Sequence, residues 1–221
     1  MMKSILRFAA TRVSEKTYER LLAHSVLKEN FADELQTVST FSTHKELWRS
    51  AIDPTDKIVF IEFGVHTGCS IKGFAEMNAN PQSVFIGLDS FEGLPEDWGV
   101  MKKGSFDVGG AIPKIDDPRI KFIKGWFQNT WDELEKAIPR EGKLIVHYDA
   151  DLYSSTLFAL TKIDGLKRPY QAIFDEFAGH EARALRNYQQ SYCATVEFKG
   201  KQNWADGYPG RVLCNIRPVG L

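Results

Sequence analysis

Ile58-Val59-Phe60-Ile61-Glu62-Phe63-Gly64-Val65-His66-Thr67-Gly68-Cys69-Ser70-Ile71 is the stretch whose reading decides the fold. Its unbroken apolar run reads as a strand buried on both faces, and the glycines after it read as a turn into a helix near Ser70. Outward from there, Val84-Phe85-Ile86-Gly87-Leu88 is a second such strand, ending in Asp89. Glu62 and Asp89 are then acids at the carboxyl ends of strands in a doubly wound sheet, where the ligand crevice lies. Asp89 suits the hydroxyls of a ribose. Glu62 decides what else the ligand carries. A loop for pyrophosphate is spaced G-x-G-x-x-G, because backbone N–H groups at a helix N-terminus must wrap an anion. Here the spacing is Gly64-x-x-x-Gly68, and Glu62 repels a diphosphate. A cationic nucleoside reverses that sign. S-adenosylmethionine, with its sulfonium and ammonium charges, satisfies both acids, with Gly64, Gly68 and Ser70 in its loop. Ser70 has two readings, the N-cap of the helix or a contact to the methionine carboxylate.

The rest of the chain alternates strand and helix signals. Strands are expected at Ile120–Ile123, Leu144–Tyr148 and Tyr170–Phe174, and helices at Ser70–Met77, Trp131–Ile138, Ser154–Ile163 and Gly179–Tyr192. Thr195–Phe198 and Arg211–Ile216 follow with no helix between them, so they form an antiparallel edge. The expected architecture is α/β, a doubly wound, mostly parallel seven-stranded sheet with that edge at its C-terminal end. Residues 1–50 read as an N-terminal helical segment and 51–221 as the cofactor-binding domain. Within it, residues 93–118 lack periodicity and are punctuated by Gly99, Gly104, Gly109, Gly110 and Pro113, which suits a lid or binding loop.

Composition narrows the partners. Lys+Arg 28 against Asp+Glu 29 leaves a net charge of −1 over 221 residues, with no basic excess for nucleic acid. Hydrophobic residues make up 43%, enough for a full core, yet no apolar run is long enough to span a membrane. Cys69, Cys193 and Cys214 have no metal-ligand spacing and cannot all pair, which points to a reducing, cytoplasmic setting. Met1 to Lys16 mixes Lys3, Arg7, Arg12 and Lys16 with apolar residues. A transit peptide has that look, but Glu15 and Glu19 and a helical pattern running to Leu27 favour an amphipathic helix.

The chemistry gathers on strand-end acids. Asp149 and Asp151 follow one strand and Asp175 and Glu176 the next, so both pairs reach the same rim of the sheet. Carboxylates packed together repel unless a cation neutralises them, and a hard divalent ion, most simply magnesium, does so with oxygen ligands. Such an ion can hold acceptor oxygens and lower their pKa. Asp151 is assigned to cofactor contact or to orienting its loop. Strand alternation puts His147 on the side of Asp149, as a general base or a hydrogen-bonded core residue. His180 shares a helix face with Arg183, Ala184 and Asn187 that borders the acceptor or is simply wet. In Gly125-Trp126-Phe127-Gln128, Trp126 or Phe127 flanks an adenine and Gln128 bonds its edge, unless Trp126 is core. Ser90 and Phe91 contact the cofactor or turn the chain, and His66 contacts cofactor or acceptor.

Glu62-Phe63-Gly64-Val65, Leu88-Asp89-Ser90-Phe91-Glu92-Gly93-Leu94-Pro95, Phe122-Ile123-Lys124-Gly125-Trp126-Phe127 and His147-Tyr148-Asp149-Ala150-Asp151-Leu152-Tyr153-Ser154-Ser155-Thr156 together resemble the macrocin O-methyltransferase family. The resemblance covers roughly residues 58–177. It implies a Rossmann-like class I S-adenosylmethionine-dependent methyltransferase that acts on a hydroxyl of a small molecule such as a natural-product sugar. It also implies that Asp149, Asp175 and the position of Glu176 hold magnesium; the expected mechanism has Asp149 double as base. The chain departs from the family at Asp175-Glu176, where Asp-Asp is usual, and after Glu176 it matches nothing further. Oligomeric state is left open. Two other readings stand beside this one. Asp149-x-Asp151 also suits a glycosyltransferase that bridges manganese to a nucleotide diphosphate, against which Glu62 and the lack of a basic cluster argue. A cofactor-binding protein without catalysis is the other.

Overall fold

The computed structural model describes residues 15–205 and 207–220. In chain order they form α1 (Glu15–Asn30), α2 (Ala32–Thr37), β1 (Ser39–Phe41), α3 (His44–Ala51), β2 (Ile58–Phe63), α4 (Cys69–Met77), β3 (Val84–Asp89) and β4 (Ile120–Lys124). Then follow α5 (Phe127–Ala137), β5 (Lys143–Tyr148), α6 (Tyr153–Asp164), β6 (Tyr170–Phe174), a π turn (Phe177–Glu181), α7 (Ala182–Tyr192), β7 (Thr195–Asn203) and β8 (Pro209–Arg217). One 8-stranded sheet has the order β1-β7-β8-β6-β5-β2-β3-β4. Strands β2 to β6 pair in parallel, while β8 lies antiparallel between β6 and β7.

The seven expected strands are all present, and β1 is added at the edge. Ser39-Thr40-Phe41 is too short to announce a strand by itself. It is recruited because β7 extends past Phe198 to Asn203, and β1 pairs with Gly200, Lys201 and Gln202 of that extension. Glycine at 200 makes this packing feasible, since a Cβ there would come within 2.6 Å of the Phe41 ring.

Alternation along β2 sends Val59, Ile61 and Phe63 into one buried layer and Ile58 and Phe60 into the other. Glu62 has the parity of Ile58 and Phe60, and His147 that of Ile145, so both point into the layer that holds Trp48 and Phe74. Leu27, Phe31 and Leu35 of the N-terminal segment belong to the opposite layer, where Phe31 packs on Phe177 and Phe198, so α1 and α2 complete the core beside the π turn and β7. Helix α1 runs on to Asn30, past Leu27, whereas the expectation for residues 1–14 lies outside the described residues. Among the described residues, no helix is long and apolar enough to cross a membrane.

The helix expected from Gly179 begins later. Ala178 (ψ 17°) and Gly179 (φ −134°, ψ −125°) break it into a π turn, after which α7 starts at Ala182. The turn brings the buried Glu181 back beneath β6, where its Oε2 accepts the Glu176 N–H at 3.0 Å.

Candidate active site

The chain order reverses between β5 and β2, because β3 and β4 extend the sheet one way and β6 the other. The crevice at such a switch point sits over the carboxyl ends of the two strands. Here it is closed to a narrow join. Gly64, at φ +92°, donates its N–H to the Leu88 carbonyl at 3.0 Å, and a Cβ on it would lie 1.9 Å from the Asp149 carbonyl oxygen. Only glycine lets the two loops touch. Asp149 donates its own N–H to Phe63 at 2.9 Å, so the loop that carries it is held to the end of β2.

Asp89 organises the neighbouring loops. Its Oδ2 accepts the N–H groups of Val65 and His66, each at 2.8 Å, and Oδ1 accepts that of Phe91 at 2.7 Å. Gly68, at φ +79°, occupies the cap position of α4 with no side chain to offer. Ser70 therefore falls inside the first turn, and its expected capping role is corrected.

Above the join lies a cavity of about 710 Å³, a size typical of sites for small molecules. Gly64, His66, Asp89 and Ser90 form one wall, and Trp126, Phe127 and Gln128 at the start of α5 form another. Asp149, Asp151 and Glu176 line its floor side. The segment 93–118 supplies Leu94, Glu96, Trp98, Lys103 and Phe106, residues that sequence reasoning assigned only as a loop. That segment is folded back on itself: Leu94 donates its N–H to the Ser105 carbonyl and Gly104 donates to that of Leu94, each at 2.9 Å, and Ser154 of α6 donates to Glu96 at 2.9 Å.

Glu62, Gly68, Ser70, Phe91, His147, Asp175 and His180 are not among the cavity-lining residues. Phe91 is packed in the core at positive φ, a turn residue. Glu62 and His147, both 0% exposed, pair beneath the sheet through Nδ1 and Oε1 at 2.9 Å. The strand reading placed Glu62 against the ligand and His147 beside Asp149. Neither lines the cavity, because β2 runs on to Phe63 and β5 ends at Tyr148, so alternation stops before Asp149 turns into the cavity; His147 takes the second of its two readings, a hydrogen-bonded core residue. The face of His180, Arg183 and Asn187 closes on Tyr153: His180 Nδ1 accepts its N–H at 3.3 Å, Asn187 donates to its hydroxyl at 2.6 Å, and Arg183 stacks on its ring.

Charge is dense beneath the cavity. Burial pushes the Asp149 carboxyl well above the usual carboxylate range, and the negative charge of Asp175 adds to that. Burial likewise raises Asp151 and Glu176 to about 7, and Glu181 well above its ordinary value. Asp175 goes the other way. Burial opposes its ionisation, but His147 and Arg211 outweigh burial and hold it below the ordinary range. For His147 burial works against the charged form, yet Asp175 and Glu62 raise it to about 10.

These shifts make stability depend on pH. His147 binds its proton more tightly when folded, so its contribution is whole below about pH 6.5 and is lost as pH rises towards 10. Asp175 contributes above its unfolded value of 3.8, and that part is lost as the medium becomes acidic. We expect the melting temperature, followed by circular dichroism, to fall between pH 6.5 and 10. His147→Gln should lower it at pH 6 and flatten that alkaline limb; an unchanged limb would assign it to other groups.

The acids that the resemblance implies for magnesium do not form an open ligand set. Both oxygens of Asp175 accept from Arg211, from Nε at 2.6 Å and Nη2 at 2.9 Å, and His147 Nε2 stands 3.7 Å from Oδ1. Among the described residues, no three His, Cys, Asp or Glu side chains are grouped to hold a metal ion. Arg211 and Glu181 were not singled out from sequence. Neither lies in a motif, since each reaches the site through the pairing of distant segments.

No protein-family model and no curated protein sequence matches this chain. Solved structures do. CalS11, the calicheamicin methyltransferase, superposes with a TM-score of 0.54 at 17% identity, over 95% of each chain. The fold is that of these methyltransferases. An O-methyltransferase from Bacillus cereus in complex with S-adenosylhomocysteine follows at 0.52 and 13% identity, over 97% of each chain. TomG from Streptomyces achromogenes, in complex with S-adenosylmethionine, gives 0.51 at 14%, over 96% of this chain and 95% of its own. A second, apo structure of CalS11 describes it as a TDP-rhamnose 3'-O-methyltransferase, at 0.50 and 19% identity over 99% and 93%. The Rossmann-like α/β fold, with its antiparallel C-terminal edge in this chain, is what the similarity shows.

Proposed function

We propose that this chain is an S-adenosylmethionine-dependent O-methyltransferase acting on a hydroxyl of a small molecule, a sugar being the favoured class. The observation that carries this reading is the cavity over the β2/β5 join, with Asp89 on one side, the Trp126-Phe127-Gln128 corner on the other and Asp149 between. Each carboxylate oxygen accepts two hydrogen bonds, so Asp89 serves its three backbone N–H groups and retains room on Oδ1 for one ribose hydroxyl. Trp126 and Phe127 offer apolar faces for adenine, and Gln128 offers an amide for its edge. When bound, S-adenosylmethionine supplies a methyl on sulfonium sulfur, which passes to the acceptor oxygen as the C–S electron pair stays on sulfur. Asp149 takes the proton that the acceptor hydroxyl gives up. A carboxylate raised by burial is a stronger base than a solvated one, which suits that role. The sugar class is supported by the acceptor for which CalS11 is described.

Calorimetry with S-adenosylhomocysteine tests the cofactor half, and labelled methyl transfer to a panel of nucleotide-linked sugars tests the acceptor half. Binding of one equivalent is expected; no heat at any concentration would overturn the cofactor reading. Asp89→Ala should weaken that binding roughly ten- to a hundred-fold, from the ~1.5–3 kcal/mol of hydrogen bonds to a charged group. We further propose that the segment 93–118 closes on the bound cofactor. Its amide hydrogen exchange should slow when S-adenosylhomocysteine binds, most around Leu94 to Phe106, which line the cavity. Equal exchange with and without ligand would leave it a wall and not a lid.

A further inference from the structure

We infer that Arg211 is the resident cation of this centre, standing on Asp175 where a divalent ion would have to bind, so that the site takes up no such ion. Arg211 is placed by strand register. Phe174 pairs with Val212 across β6 and β8, which sets the next residues, Asp175 and Arg211, opposite each other. Across β7 and β8, Gln202 pairs with Arg211, and its Oε1 accepts from Nη1 at 3.2 Å. Three strands therefore hold the guanidinium, and its fork meets both oxygens of Asp175, at 2.6 and 2.9 Å. Such bidentate pairs are geometrically specific and charge-assisted. A guanidinium is also not deprotonated in proteins, so the pair does not open as pH rises.

A magnesium ion needs near-octahedral oxygen ligands. At this centre it would have to displace both bonds from Asp175 and then sit beside two positive groups, Arg211 and the imidazole of His147 at 3.7 Å from Oδ1. What remains towards the cavity is Asp149, Asp151 and Glu176, which are not grouped as a metal site. Arg211 acts through Asp175, as a positioning residue: it neutralises the acid at the end of β6 and keeps that loop beside the one that carries Asp149. That methyl transfer runs without an ion rests on the proposed function, whereas the ion-binding claim does not.

The test is isothermal titration of magnesium chloride into the full-length protein and its Arg211→Gln variant, with S-adenosylhomocysteine titrated in parallel. The wild type is expected to bind no magnesium tighter than about 1 mM. Arg211→Gln, which frees both Asp175 oxygens, should gain magnesium affinity by roughly ten-fold or more. Stoichiometric magnesium binding by the wild type below that limit overturns the proposal whatever the variant does. A folded Arg211→Gln with no gain overturns the assignment to Arg211. If S-adenosylhomocysteine fails to bind, the methyltransferase reading falls and the ion result still decides this one.

Discussion

Gly64→Ala is expected to abolish cofactor binding and to destabilise the protein by about 2–5 kcal/mol. The added Cβ meets two penalties. Gly64 sits at φ +92°, a left-handed conformation that costs an L-residue ~1–2 kcal/mol. The Cβ would also stand 1.9 Å from the Asp149 carbonyl oxygen and 2.8 Å from its carbon, both of them backbone atoms that no side-chain rotation can move aside. Overpacking of that kind costs a further ~1–3 kcal/mol. Relief requires the β2 and β5 loops to part, and with them Asp149 and the cavity wall. Gly73→Ala is the matched control. At Gly73 in α4 a Cβ meets the Trp48 ring at an ordinary 3.5 Å, and alanine favours the helix by ~1 kcal/mol, so the melting temperature should hold or rise. Calorimetry with S-adenosylhomocysteine and thermal melts of both variants decide the matter. Wild-type affinity in Gly64→Ala would mean that the loop join does not shape the cofactor site.

Asp149→Asn is expected to lower methyl transfer by about 10²–10⁴-fold, the usual contribution of a positioned general base. Cofactor affinity should change little, because Asp89 and the Trp126 corner are untouched. Stability supplies a second readout. The Asp149 carboxyl is pushed up by burial and by the charge of Asp175, so its ionised form is a burden to the folded state. A neutral amide of the same shape removes that burden, and the variant should melt at or above the wild-type temperature at neutral pH. Loss of activity together with a lower melting temperature would make Asp149 a structural residue. In the wild type the rate should rise with pH through an inflection above the ordinary carboxylate value of 3.8. The sign follows from the base, which works only when it has lost its proton.

The apolar runs at Ile58–Phe63, Val84–Leu88, Leu144–Tyr148 and Tyr170–Phe174 announced the parallel strands by themselves, because a strand buried on both faces has no room for polar residues. Asp89, Asp149 and Glu176 could be placed near the site for an equally local reason: each stands at or just past the carboxyl end of such a strand, and all three line the cavity. Alternation also showed that residues of like parity share a side, though not which side the helices cover. Glu62, as a strand-end acid, was read towards a ligand and His147 as a base or a core residue, whereas His147 packs against Trp48 and Phe74 and pairs with Glu62 in the buried layer. The pairing of β1 with the extension of β7 and the seat of Arg211 on Asp175 depend on the register between strands far apart in the chain. The bend that buries Glu181 depends in turn on a break at Ala178 and Gly179. Hydrophobic pattern is a local property and was legible residue by residue. Which acid meets which cation is decided only when distant strands are laid side by side, as where Arg211 of β8 meets both oxygens of Asp175 just past β6.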